Sequence, residues 1–167
     1  DNVSCGINSN FSPLSKEEIT AVRDKWSEGK PYFFFVGSMH PRKNIKRLID
    51  GFNLYRERTQ SDFKLVLAGS LLWQKTDIED SYTNSQYKDD IIFTGRLSDD
   101  DLQKVLGAAA LMVDPFNIDS IANGMNKLAD NNDLRNELID KGHQQKKLFS
   151  WSRTAELLWD CIQKAVK

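Results

Sequence analysis

The passage from Tyr32 to Gly51 restricts the fold more than any other. Tyr32-Phe33-Phe34-Phe35-Val36 is a continuous apolar run, closed by Gly37 and followed by Ser38, His40, Pro41, Arg42 and Lys43. From Asn44, the residues Ile45, Leu48, Ile49, Phe52 and Tyr55 recur at helical spacing, with charges on the opposite face. A short strand without polar alternation is covered on both faces, and the helix that follows it makes a strand–turn–helix unit of an α/β sheet. In such sheets ligands bind at the carboxyl ends of strands, beside the first turn of the next helix. Unpaired N–H groups and the helix dipole favour an anion there, and Arg42 and Lys43 add positive charge. Phosphate is the candidate. The alternative is an ordinary strand–helix turn whose two basic side chains face water.

The pattern repeats along the chain. Phe63–Ala68, closed by Gly69-Ser70, Ile91–Thr94, closed by Gly95, and Ala110–Val113, closed by Asp114-Pro115, are predicted as further strands. Ser15 and Glu18 form a capping-box pattern for a helix reaching about Trp26, and Glu28-Gly29-Lys30-Pro31 breaks the chain after it. A helix is predicted near Ile78–Tyr82, and another opens at Ser98 and Asp101 and runs through Leu106. Three more close the chain, through Ile118–Leu128, through Leu134–Ile139, and, capped by Ser150, through Leu157–Ile162. Cys161 falls on the apolar side of the last and reads as a reduced core residue; Trp73, Trp151 and Trp159 read as packing anchors. The expected fold is a Rossmann-like α/β domain with a predominantly parallel sheet and helices on both faces. Residues 1–14 read as a linker and 15–167 as the domain. Right-handed crossovers place every strand–helix turn at one edge, so Gly37, Gly69, Gly95 and Asp114-Pro115 are expected to be neighbours.

Composition narrows the function. With 40% hydrophobic and 28% charged residues, the chain reads as a globular protein, and a net charge of −1 gives no reason to expect a nucleic-acid surface. No apolar stretch approaches the roughly 20 residues that span a bilayer, and the N-terminal segment has no export-signal character, which points to the cytoplasm. Two cysteines, Cys5 and Cys161, have neither the number nor the spacing of a disulfide framework or zinc knuckle. The G-x-G-x-x-G dinucleotide pattern and the P-loop are both missing. Arg42 can hold phosphate oxygens through its fork of donors while Lys43 supplies a mobile charge; together they can offset charge on a departing phosphate without proton transfer. His40 is a further candidate in the same loop, against the plainer reading of a polar turn residue. Asp99-Asp100-Asp101 suits a helix start better than a metal site.

These residues carry a resemblance. Phe-Phe-Val-Gly-Ser-Met-His-Pro-Arg-Lys-Asn-Ile-Lys-Arg-Leu, residues 34–48, resembles the start of the C-terminal, donor-binding domain of retaining family 4 glycosyltransferases of the two-domain GT-B fold. Leu65–Gly69, Ile91–Ser98, Ala109–Phe116 and Phe149–Trp151 resemble its later landmarks in order, and Val3–Leu14 resembles its interdomain linker. The resemblance implies that Gly37, Ser38, Arg42 and Lys43 surround the donor diphosphate, Lys43 matching the family's phosphate-binding lysine. Gly69 belongs to the same sheet edge, and the Gly95, Arg96 and Leu97 turn would lie near the base or ribose. It further implies sugar transfer with retention from a nucleotide sugar, GDP-mannose before a UDP-sugar, in polysaccharide biosynthesis. No resident cofactor or metal is implied. The implied partners are an N-terminal acceptor-binding domain of the same protein and a saccharide or lipid-linked acceptor, with peripheral membrane association of the whole protein left open.

The departure from the family lies between Leu106 and Leu111. About 40 residues expected there, including a strand, a glycine-rich loop and the acidic Glu-x7-Glu segment that contacts the donor sugar, are missing. The reading taken is a segment lost at about 107–110, detectable as an interruption of normal chain geometry between Leu106 and Leu111. This chain alone is then expected to transfer negligible sugar. A non-catalytic nucleotide or phosphosugar-binding module is the alternative.

Overall fold

The computed structural model describes residues 14–70, 77–106 and 117–165. Strands β1 (Tyr32–Val36), β2 (Lys64–Ala68) and β3 (Ile91–Gly95) form one parallel sheet in the order β1-β2-β3. Tyr32 pairs with Lys64 and Val36 with Ala68; Leu65 pairs with Ile91, and a register shift beyond Leu67 brings Ala68 opposite Gly95. The predicted strand at 110–113, the Asp114-Pro115 turn and the expected interruption at 107–110 lie outside the described residues.

Seven helices are described: α1 (Lys16–Ser27), α2 (Ile45–Thr59), α3 (Asp77–Thr83), α4 (Asp99–Leu106), α5 (Ile118–Asp130), α6 (Asn132–Lys146) and α7 (Trp151–Ala165). Alternation along the strands assigns them to faces. Phe33, Phe35, Leu65, Leu67, Ile91 and Phe93 face one core with Ile45, Ile49, Phe52 and Tyr55 of α2, Ile78 of α3, and Ile121 and Met125 of α5. Tyr32, Phe34, Val66 and Ile92 face the other, with Val22 and Trp26 of α1 and Val105 of α4. Helices thus cover both faces, which is why all five residues of β2 are buried. Two successive crossovers moving in one direction put α2 and α3 on the same side. Helix α5 then lies against α2: a Cβ on Gly51 would come within 2.6 Å of Ile121 Cγ2, so only glycine lets the two backbones approach this closely.

The local signals behave as their chemistry requires. Ser15 Oγ accepts the Glu18 N–H and Glu18 accepts the Ser15 N–H, the complete capping box. Glu28 and Gly29 take positive φ to end α1. Asp101 N–H bonds Ser98 Oγ, and the Asp101 carboxylate accepts from Lys25 Nζ at 2.8 Å, so this acidic run starts a helix and ties α4 to α1. At the amino end of the sheet, Lys64 is buried between Glu28 (2.6 Å) and Asp90 (3.3 Å), and Asp90 also takes Arg56. Helix α7 departs from expectation. Trp151 and Trp159 are exposed rather than packed, as are Leu158 and Ile162, and Cys161 is half-buried rather than core. Apolar periodicity specifies a helix with an apolar face; it does not supply the surface that face will meet. Among the described residues no helix is long and apolar enough to cross a membrane.

Tyr32 gives a pH test of the α1/α4 face. Its hydroxyl donates to the Val105 carbonyl at 3.3 Å, and burial pushes the phenol up to about 12, with Arg23 pulling weakly the other way. A raised phenol pKa stabilises the fold below pH 10, and that contribution is lost as pH climbs from 10 towards 12. The loss is at most about 2–3 kcal/mol. Tyr32→Phe should be less stable by about 1 kcal/mol at neutral pH, and urea midpoints of the two proteins should converge and then cross within that alkaline window. A difference that stayed constant from pH 8 to 11.5 would contradict the assignment.

Candidate anion site at the carboxyl edge of the sheet

The ends of the three strands meet as the topology requires. Gly37 N–H donates to Ala68 O at 2.9 Å, and Gly69 N–H donates to Gly95 O at 2.8 Å, so Gly37, Gly69 and Gly95 lie side by side. Gly69 is held most tightly. Its φ is +147°, and a Cβ there would sit 1.8 Å from Gly37 O and 2.6 Å from Gly37 C. Gly37 has φ +154°, strained for any residue with a Cβ, but that Cβ would meet only the movable Phe35 ring, at 3.2 Å. The stricter requirement is at Gly69, and it arises from backbone-to-backbone contact that sequence does not display.

From this floor the loop 37–44 rises to α2. Met39 is fully buried and its N–H donates to Ser70 O at 3.2 Å, pinning the loop. His40 N–H then donates to Ser38 O, and a 3-10 turn over Pro41–Lys43 closes with Lys43 N–H on His40 O and Asn44 N–H on Pro41 O. Asn44 adopts the left-handed conformation, φ 57°, which redirects the chain into α2. The backbone N–H of Ser38 has no acceptor among the described residues.

The start of α2 differs from other helix starts in the molecule. Helices α1, α4, α5, α6 and α7 each open on a side-chain oxygen that accepts an N–H, from Ser15, Ser98, Asn117, Asn131 and Ser150. Asn44 accepts no backbone N–H of α2, its Oδ1 taking the Arg47 guanidinium at 3.4 Å instead, and the first turn of α2 also lacks an acidic residue. The N–H groups of Ile45 and Lys46 have no acceptor among the described residues. Unpaired donors and the positive end of a four-turn helix therefore lie beside the glycine floor. Arg42 and Lys43 are exposed on the preceding turn, and neither forms a salt bridge among the described residues, whereas Lys46 is held by Asp50 at 2.9 Å. This arrangement can take an anion with two or more oxygens.

The remaining predicted residues divide. Arg96 is exposed just past Gly95, at the same edge, while Leu97 is partly buried against the α1/α4 core. His40 caps the 3-10 turn: its Nδ1 accepts the Arg42 N–H at 3.3 Å. Among the described residues no cluster of His, Cys, Asp and Glu has the form of a metal site. A cavity of about 310 Å³ between α2 and α3 is lined by Asp50, Asp77, Asp80, Asn53, Ser81, Asn84 and Lys46, and its carboxylates would repel a diphosphate. Sequence reasoning missed Gly69's contact and the uncapped start of α2. The second was legible, since Asn44-Ile45-Lys46-Arg47 carries no acid where helix starts usually have one.

Known proteins agree with this architecture. The family model for glycosyl transferases group 1 matches residues 16–113. The chain is 30% identical over 120 residues to the serotype-specific mannosyltransferase WbdA of Escherichia coli, an alignment covering 68% of this chain and 14% of that protein. It is 28% identical over 108 residues to the O-antigen chain mannosyltransferase B of Escherichia coli, covering 64% of this chain and 28% of that one. The chain thus spans well under half the length of these relatives. With the family model matching more than half its residues, on a parallel α/β sheet, the chain belongs to the glycosyl transferases group 1 family.

Proposed function

We propose that this chain binds the nucleotide-sugar donor for a retaining glycosyltransferase of GT-B architecture, with GDP-mannose the preferred donor and a UDP-sugar the second choice. The observation that carries the reading is the uncapped, acid-free start of α2 beside the Gly37–Gly69 contact, with Arg42 and Lys43 free of carboxylates. The diphosphate would accept from Ser38 N–H and the first N–H groups of α2, while the fork of Arg42 and the ammonium of Lys43 offset its charge. During transfer the bond from the anomeric carbon to the diphosphate oxygen breaks and a bond to the acceptor hydroxyl oxygen forms. The hydroxyl proton passes to the departing diphosphate oxygen, and the negative charge of the leaving group accumulates on the nucleoside diphosphate. Positive groups fixed there lower the barrier because they interact more strongly with the leaving group than with the intact donor. Arg96, exposed just past Gly95, is the residue assigned in this reading to the ribose or base. The mannose preference rests on the two relatives' names as mannosyltransferases.

The chain alone should transfer negligible sugar, because it has no Glu-x7-Glu segment between Leu106 and Leu111, and transfer needs donor and acceptor held together in a closed cleft. The acceptor, a saccharide or lipid-linked saccharide, would come from an N-terminal domain of the whole protein. The missing acidic segment also favours a second reading, a nucleotide or phosphosugar-binding module without transfer. The test is a donor panel run on the whole protein and on this chain, with product anomeric configuration read by NMR. Transfer with retention by the whole protein only is the expected result. An inverted product would refute retention, turnover by the chain alone would refute the two-domain requirement, and donor binding without any transfer would establish the binding module.

A further inference from the structure

Within the loop 37–44 one side chain organises the backbone by accepting a main-chain N–H. Met39 anchors the loop below, fully buried, and Asn44 redirects it above. Between them His40 makes three contacts that define the turn. Its N–H donates to Ser38 O at 2.7 Å, its carbonyl accepts Lys43 N–H at 2.7 Å, and its Nδ1 accepts Arg42 N–H at 3.3 Å. The first two are backbone contacts that other residues could make. The third belongs to the side chain, and it is the contact that orients the Arg42 peptide and with it the backbone from which Arg42 and Lys43 both project. Pro41, at the first position of the turn, has no N–H of its own to compete for that acceptor.

We propose that His40 is a positioning residue of the anion site, acting through Nδ1 as the cap of the turn that carries Arg42 and Lys43. This inference rests on the donor-binding reading above and assigns His40 neither proton transfer nor direct contact with the sugar. It requires the neutral imidazole with its proton on Nε2, since only an unprotonated Nδ1 accepts. Asparagine is the diagnostic replacement, because its side-chain oxygen lies near the place of Nδ1, and Asn is among the best capping residues. Glutamine instead reaches towards the place of Nε2.

Calorimetric titration of GDP and of guanosine into the full chain, for the unmodified protein, His40→Ala, His40→Asn and His40→Gln, separates the roles. The expected result is GDP binding weakened roughly three- to tenfold in His40→Ala and His40→Gln, the scale of a lost capping acceptor. His40→Asn should restore it to within about twofold, and guanosine binding should be equal in all four. Rescue by glutamine rather than asparagine would overturn the proposal in favour of a ligand contact through Nε2. Equal GDP affinity in all four proteins would overturn it outright. If the unmodified protein bound GDP no better than guanosine, the donor-binding reading itself would fail, and this inference with it. Thermal melts of the same four proteins keep a folding defect from passing for a binding defect.

Discussion

Gly69→Ala should lower the unfolding free energy by about 2–6 kcal/mol, a large part of the roughly 5–15 kcal/mol a domain normally has. Two costs add. A residue with a Cβ at φ +147° is held where L side chains are strained, about 1–3 kcal/mol. The Cβ would also lie 1.8 Å from Gly37 O, which forces the end of β1 away from β2 and costs a further 1–3 kcal/mol or so. The contact is backbone against backbone, so no rotamer change relieves it. Gly95→Ala is the control: its φ is +70°, but nothing lies within 4 Å of the added Cβ, and it should lose only about 1–2 kcal/mol. Urea unfolding of both variants checks this. A Gly69→Ala protein as stable as Gly95→Ala would show that the sheet edge yields easily.

Lys43→Ala should leave stability within about 0.5 kcal/mol of the unmodified chain, because the side chain is exposed and unpaired among the described residues. Its effect should fall on the ligand. Affinity for GDP is expected to drop tenfold or more while that for guanosine holds, and sugar transfer by the whole protein should drop roughly 100- to 1000-fold, the usual scale for losing one preorganised charge at a leaving group. Lys43→Arg keeps the charge but not the compact ammonium, and should recover binding more than turnover. Equal losses for GDP and guanosine would remove Lys43 from the diphosphate. The same measurement distinguishes a binding module from an enzyme, since both need Lys43 for affinity but only the enzyme loses turnover.

Local sequence and observed structure agree where a residue's surroundings are implied by its neighbours. Tyr32–Val36 is a strand over the predicted span, Phe63–Ala68 loses only Phe63 at its start, and Ile91–Thr94 gains only Gly95. The capping residues Ser15, Ser98 and Ser150 start their helices, because a cap acts within three residues of itself. Agreement fails over longer distances. Trp151 and Trp159 have the spacing of packing residues but lie exposed, since burial depends on what stands opposite the helix. The partial burial of Leu97 against the α1/α4 core is likewise a contact that its place beside Arg96 does not display.

Periodicity, caps and crossover handedness are local or topological properties, and they suffice for the alternation of strands and helices, their parallel order, and the gathering of Gly37, Gly69 and Gly95 at one edge. The sequence also placed Arg42 and Lys43 on the turn before α2. Tertiary packing adds that Gly69 meets Gly37 backbone to backbone, and that the first N–H groups of α2 have no acceptor among the described residues. The Gly37 O contact on Gly69 depends on atoms that the sheet brings together, whereas the bond from the Arg42 N–H to His40 Nδ1 spans two residues of one turn. A residue's type limits which contacts it can make, and only the packed backbone selects among them.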